Sequence, residues 1–240
     1  MSTQIPLNKI LFLDIETVPE HETFEELSEV MQELFEKKTR FQRNDEVEVS
    51  EFYQERAGVL SEFSKVVCIS IGFITTDKDE NHTFRVKSFY GDDEKKILED
   101  FKELLNGSFN SYDTYLCAHN GKEFDYPFMA RRMIINRITL PEVLDIAGKK
   151  PWEVRHLDTM ELWKFGDYKH YTSIKLLTAV LDIPSPKDDI DGSEVAGVYY
   201  KEKDLERIAI YCEKDTFTVA QIYLRLKGID IMPQEAMIKV

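Results

Sequence analysis

The chain has 240 residues, 42% hydrophobic and 12% aromatic, which is enough for one substantial core and too few for several large domains. Its 31 basic and 45 acidic residues leave a net charge of −14, which excludes a protein that coats nucleic acid by bulk charge but not an enzyme that grips one strand end. Cys68, Cys117 and Cys212 all lie in apolar segments and read as reduced, buried hydrophobes. No basic start precedes an apolar signal core and no apolar run reaches bilayer length, so the expected location is the cytoplasm, with no membrane partner.

The first apolar run, Ile10-Leu11-Phe12-Leu13, predicts a central strand covered on both faces, with Asp14 at its carboxyl end, where α/β sheets collect ligands. In extended Asp14-Ile15-Glu16 the two carboxylates share one face and Ile15 takes the other. Alone, such a pair is more often a solvated strand end. Next, Phe24, Leu27, Met31, Leu34 and Phe35 recur at helical spacing behind a Thr23/Glu26 capping box, predicting an inserted amphipathic helix within residues 20–60. Residues 37–50 have few apolar anchors and read as a loop or mobile flap. Two strand-like runs, 66–74 and 83–90, flank a polar turn and predict an antiparallel hairpin.

Ile97, Leu98, Phe101, Leu104 and Leu105 mark a helix, Tyr115 to Ala118 a buried strand, and Phe128 to Ile135 a helix starting just after Pro127, so Asp125 falls at a strand-to-helix junction. A fifth strand is expected over 154–157 and a short helix over 174–181. Asp158 is expected to cap the helix after that strand, His119 and His170 to be structural, and Glu123 and Glu213 to turn away from their neighbours' site. The stretch 183–197 reads as a solvated surface loop. The competing reading has Ser185, Pro186, Lys187 and Asp191-Gly192-Ser193 close over a substrate, with Lys187 on phosphate. A long helix over 203–226 follows, with Tyr211 and Asp215 four residues apart on one face, beside the apolar stripe. Carboxylates that converge from such separate elements suit hard divalent cations, Mg²⁺ or Mn²⁺, and phosphodiester cleavage is the first chemistry to test.

Three segments together resemble the exonuclease motifs of the DEDD superfamily of 3′–5′ exonucleases: Asp14-Ile15-Glu16-Thr17 ending an apolar strand, Asn120 with Phe124-Asp125, and Tyr211 with Asp215. The histidine subgroup has His five residues before the last aspartate. Here that residue is Ile210, so the chain is identified as DEDDy type, similar over nearly its whole length to the proofreading exonuclease domains of B-family DNA polymerases. The resemblance implies an α/β, ribonuclease H-like fold: a mixed five-stranded sheet with helices on both faces, as a single domain over 1–240 with no room for a polymerase domain.

It further implies catalysis by Asp14, Glu16, Asp125, Tyr211 and Asp215 with two divalent ions, Mg²⁺ or Mn²⁺. Asp14 bridges them, Glu16 and Asp215 hold the first, and Asp125 assists the second. One ion would generate the hydroxide nucleophile and the other stabilise the leaving 3′ oxygen. Tyr211, with an ordinary pKa near 10, would orient the water rather than act as base. Ile15, Thr17, Asn120 and Phe124 would meet the strand end, Phe124 being equally readable as a core residue. The implied reaction releases nucleoside 5′-monophosphates from a 3′ end, single-stranded DNA ahead of RNA. A DNA polymerase or repair partner acting in trans stays open. The competing readings are a non-catalytic nucleic-acid-binding module and a ribonuclease H-like endonuclease.

Overall fold

A computed structural model describes residues 5–44, 46–110, 113–167, 171–184 and 190–240; His170, Ser185, Pro186 and Lys187 lie outside them. The first apolar run forms β1 (Ile10–Pro19), which continues well past Leu13. Asp14 therefore sits in mid-strand, not at the carboxyl end. The cause is asymmetric pairing: on one side β2 (Ser64–Thr76) runs antiparallel to β1 as far as Pro19, while on the other the parallel β4 (Tyr115–Ala118) stops opposite Phe12. The expected hairpin is present as β2 and β3 (His82–Tyr90). The fifth strand shrinks to β5 (Leu157–Asp158), parallel to β4.

A sixth strand, β6 (Met237–Lys239), pairs with β3 and gives the order β5-β4-β1-β2-β3-β6, one strand more than expected. Three residues carry no readable period. What holds β6 is tertiary: Lys239 pairs with the Glu213 carboxylate at 2.6 Å, and Met237 lies against Phe84. The fold class itself stands, an α/β fold with a mixed sheet and helices on both faces.

The insertion is two helices rather than one. Glu26 takes the Thr23 N–H at 3.2 Å and closes only a single turn. Ser28 then caps α1 (Glu29–Thr39), and α2 (Val49–Arg56) follows. The segment expected to be a flap, apart from undescribed residue 45, is thus partly helical, and the unit has its own apolar cluster. Phe35 and Tyr53 are fully buried there, with rings edge to face at 5.2 Å.

Strand alternation divides the main core. Leu11, Leu13 and Ile15 of β1 pack with α3 (Glu94–Ser108) and α4 (Asp125–Ile135) through Leu98, Phe101 and Met129. Ile10 and Phe12 pack on the opposite face against Phe217, Ala220, Tyr223 and Leu224. Those residues belong to the last helix. Before it come α5 (Thr159–Lys164), α6 (Ile174–Val180) and the short α7 (Val195–Gly197) at the end of the stretch expected to be a loop, which runs into a π-helical turn over Val198–Glu202. The last helix itself is α8 (Leu205–Leu226). No helix of the described residues is long and apolar enough to cross a membrane.

One buried ion pair joins the layers. Arg132 on α4, 4% exposed, donates to both oxygens of Glu94 at 2.8 and 2.6 Å, to the Ser61 carbonyl at 2.9 Å and to Glu20 at 3.1 Å. Glu94 also accepts from the Val66 N–H and from Asn136. Arg132→Met strands the Glu94 carboxylate and is expected to lower stability by about 3–5 kcal/mol, with part recovered by adding Glu94→Gln. Urea unfolding of both variants checks this, and an unchanged midpoint for Arg132→Met would refute it.

A second prediction concerns His156. Its Nε2–H donates to the Val143 carbonyl at 2.7 Å, its ring sits 4.8 Å from that of Tyr126, and burial pushes the imidazole down to about 4 from 6.5. The neutral ring thus contributes stability that is complete above pH 6.5 and lost as pH falls towards 4, up to about 3 kcal/mol. Unfolding midpoints between pH 7 and 4 should fall less steeply for His156→Gln than for the wild type; equal slopes would contradict this assignment.

Candidate active site

Even-numbered residues of β1 face α8, so Asp14 and Glu16 extend the row begun by Ile10 and Phe12. Across from them α8 brings Cys212, whose sulfur lies 3.4 Å from the Asp14 carbonyl oxygen and 3.5 Å from its Oδ2. The ligand atoms of Asp14, Glu16 and Cys212 all fall within 4.8 Å of one another. Asp125 and Asp215 stand outside that tight group, but their charges act on Asp14. Asp125 opens α4, with its buried carboxyl beside the Ile15 backbone of β1. Tyr211 shares a hydrogen bond with Asp215 one turn further along α8.

The electrostatics follow from burial. Two carboxylates at such a distance repel by about 3 kcal/mol at an effective dielectric of about 20, a large fraction of a domain's net stability. Desolvation first, then Asp215 and Asp125, hold the Asp14 carboxyl well above its ordinary range; desolvation and then Asp14 do the same to Glu16. Burial raises Asp125 to about 7. Desolvation and the charge of Asp215 keep the Tyr211 phenol protonated far above its usual range. Glu16 is only 7% exposed, and among the described residues no hydrogen bond or ion pair reaches its carboxylate. A buried acidic group without a protein partner, beside others, has the chemistry that a divalent cation satisfies.

The remaining expected residues divide. The Thr17 hydroxyl donates to the Gly58 carbonyl at 2.6 Å, and the Ile15 side chain lies in the α3–α4 core, so for both only the backbone is left to meet a strand end. Phe124 is part-buried just before α4, its ring 5.2 Å from that of Phe128, in keeping with the core half of its double reading. Asn120 adopts a left-handed conformation (φ 63°), and its Oδ1 is buried without a hydrogen-bond partner. Gly121 follows because a Cβ there would lie 2.5 Å from that of Ala118.

Among the residues set aside, His119 is structural, with Nε2–H donating to the Thr172 carbonyl and Nδ1 accepting from Thr159. Glu213 turns to Ser88 and Lys239, and Glu123 is exposed. The Asp191 carboxylate accepts from Ser193 in its own turn and lies 4.0 Å from the Lys175 ammonium. Asp158 caps α5 as expected, but it also accepts the N–H groups of Asn120 and Lys122 at 3.0 Å and so grips the loop that leads to Asp125. That second task, and the placing of Cys212 against Asp14, had no signal beyond proximity to motif residues.

A family described as "Predicted 3′-5′ exonuclease related to the exonuclease domain of PolB" matches residues 59–236, a span with Asn120, Phe124, Asp125, Tyr211 and Asp215 but not Asp14 or Glu16. A search of curated proteins finds no match. Among solved structures, the family B DNA polymerase from the hyperthermophilic archaeon Pyrobaculum calidifontis matches with a TM-score of 0.55 and 14% identity, over 96% of this chain and 27% of that polymerase. The likeness is one of fold, and it spans about a quarter of the polymerase.

The raised Asp125 carboxyl makes the site costly to the metal-free protein. Because its folded value of about 7 exceeds the ordinary 3.8, the stabilisation from its proton is complete below the lower value and lost as pH rises through 7. In chelator, Asp125→Asn is expected to stabilise the protein by at least ~1 kcal/mol at pH 8 and by little at pH 5. Urea midpoints at the two pH values test this; no gain at pH 8 would show that the carboxyl is not strained.

Proposed function

This chain belongs to the family of predicted 3′–5′ exonucleases related to the exonuclease domain of PolB, and we propose that it hydrolyses the 3′-terminal phosphodiester of single-stranded DNA, with divalent metal, to release nucleoside 5′-monophosphates. The observation that carries the reading is Glu16, buried beside Asp14 with no hydrogen bond or ion pair to its carboxylate among the described residues. The donors are carboxylate oxygens, which fit hard ions. Asp14, Glu16, Asp125 and Asp215 would hold two Mg²⁺ or Mn²⁺ ions, with Asp14 common to both. Bound there, the ions supply activation of the attacking water and neutralisation of charge on the phosphate and the departing 3′ oxygen.

The chain's own groups do the rest. Tyr211, kept as a phenol by burial and by Asp215, orients the water through its hydroxyl instead of taking a proton from it. Asp125, the first residue of α4, would present its carboxylate where the helix dipole favours negative charge. In this reading Asn120 and Phe124, on the loop gripped by Asp158, would meet the terminal nucleotide together with the backbone at Ile15 and Thr17. The kinship with PolB and the fold shared with a DNA polymerase favour DNA over RNA. In this reading residues 1–240 act as one exonuclease domain, whose described strands join in one six-stranded sheet.

A time course on 5′-labelled single-stranded DNA and matched RNA, with Mg²⁺, Mn²⁺ or chelator, tests this. We expect a metal-dependent ladder that shortens from the 3′ end and is faster on DNA, slowed about 10³-fold in Asp14→Ala and Asp215→Ala and less in Tyr211→Phe. Intact substrate in every lane, with Mn²⁺ still bound by calorimetry, would leave a binding module instead; cleavage of circular single strands would make the enzyme an endonuclease.

A further inference from the structure

Two exposed aromatic side chains border the loop that leads to Asp125. Phe165 is 87% and Tyr171 70% exposed, and neither ring joins any apolar cluster of the described residues. We propose that Phe165 and Tyr171 form a stacking platform for the bases that precede the terminal nucleotide, so that single-stranded nucleic acid is held over several nucleotides. The inference rests on the exonuclease reading for the orientation of the strand, but not for the binding itself.

Contacts at both ends of the loop place the pair. Phe165 directly follows Lys164, whose ammonium lies 4.0 Å from the Glu123 carboxylate, and Glu161 of the same helix pairs with Lys122 at 2.6 Å. Tyr171 directly precedes Thr172, whose carbonyl oxygen accepts from His119 at 2.9 Å. Both aromatic residues therefore stand on segments fastened to 119–123. The backbone at Phe165 is a second, independent observation. It ends α5 in a left-handed conformation (φ 46°, ψ 33°), which a Cβ disfavours and which glycine adopts freely, as Gly166 does next (φ 91°). A bulky ring left in water on a strained residue stabilises nothing in the fold, and such strain gathers at ligand-binding positions. Every base has an aromatic face, so a platform of this kind takes any sequence, whereas a duplex, whose bases already stack on one another, gains nothing from it. Lys122 and Lys164 neutralise Glu161 and Glu123, so this rim does not repel the phosphates of the strand.

The test measures binding of 5′-labelled single-stranded DNA to the full chain by fluorescence anisotropy, with Ca²⁺ in place of Mg²⁺ so that the strand is held uncut. A dinucleotide is compared with a longer strand that carries 2-aminopurine just before its 3′-terminal nucleotide, a base whose fluorescence is quenched by stacking. Phe165→Ala and Tyr171→Ala are each expected to weaken binding of the longer strand by about 10-fold and to relieve the quenching, with the dinucleotide unaffected and Phe165→Trp and Tyr171→Phe close to wild type. Phe165→Gly should bind the longer strand as weakly as Phe165→Ala and yet unfold at higher urea than the wild type, a combination that a structural role would not produce. Unchanged affinity in the alanine variants, an equal loss on both lengths, or a lower urea midpoint for Phe165→Gly would each overturn the proposal. Length-dependent binding that the variants lose, without any digestion in Mg²⁺, would sink the exonuclease reading alone; digestion in Mg²⁺ with affinity unchanged in the variants would sink this one alone.

Discussion

β1 is buried on both faces and yet carries two carboxylates on one of them, and much of the structure answers that conflict. The strand keeps a backbone partner on each side through Phe12, and from Leu13 onward it relies on β2 alone. Apolar packing secures the first half: Phe12 lies edge to face with Tyr223 of α8, centroids 5.7 Å apart, while Leu11 and Leu13 sit in the opposite layer. The second half has Asp14 and Glu16 where two more apolar residues would stabilise the same sheet. Repulsion of about 3 kcal/mol and the desolvation of both groups are tolerated there because the rest of the sheet over-determines the strand. Local cost at a site held by a stable frame is a common bargain between stability and activity.

That frame extends beyond the sheet. Past Glu16 the register shifts by a bulge, and the strand end is then fastened from three directions. The Thr17 hydroxyl reaches Gly58, the Tyr200 hydroxyl donates to the Pro19 carbonyl at 2.6 Å, and the Glu20 carboxylate meets Arg132. Tyr53, in the insertion's own cluster, donates to the His21 carbonyl at 3.1 Å. The inserted helices and the π-helical turn before α8 therefore act as clamps on the strand that carries the carboxylates. Arg132 connects those clamps to α4, whose first residue is Asp125. Asp158 performs the same service for the loop before Asp125 by accepting two of its N–H groups.

Much of this was legible in the order of residues. Two strand-like runs about a polar turn marked the hairpin, a four-residue apolar run marked β4 with its correct bounds, and the apolar stripe of α8 placed Tyr211 and Asp215 beside the core. The three motifs named the carboxylates that the structure then gathers around Asp14, because strand and helix periods are local properties that neighbouring residues determine among themselves. Pairing is not local. Whether β1 stops at Asp14 or runs to Pro19 depends on how far β2 reaches, and whether residues 237–239 are a strand depends on β3 and on an ion pair with Glu213. The inserted helices declare their apolar residues, but only packing reveals that these form a separate core. The sequence by itself thus determined most of the main elements, their faces and the identity of the acidic residues. Tertiary structure alone decided which of those residues are stripped of water and partners, because desolvation and the distance between charges arise only once distant segments meet.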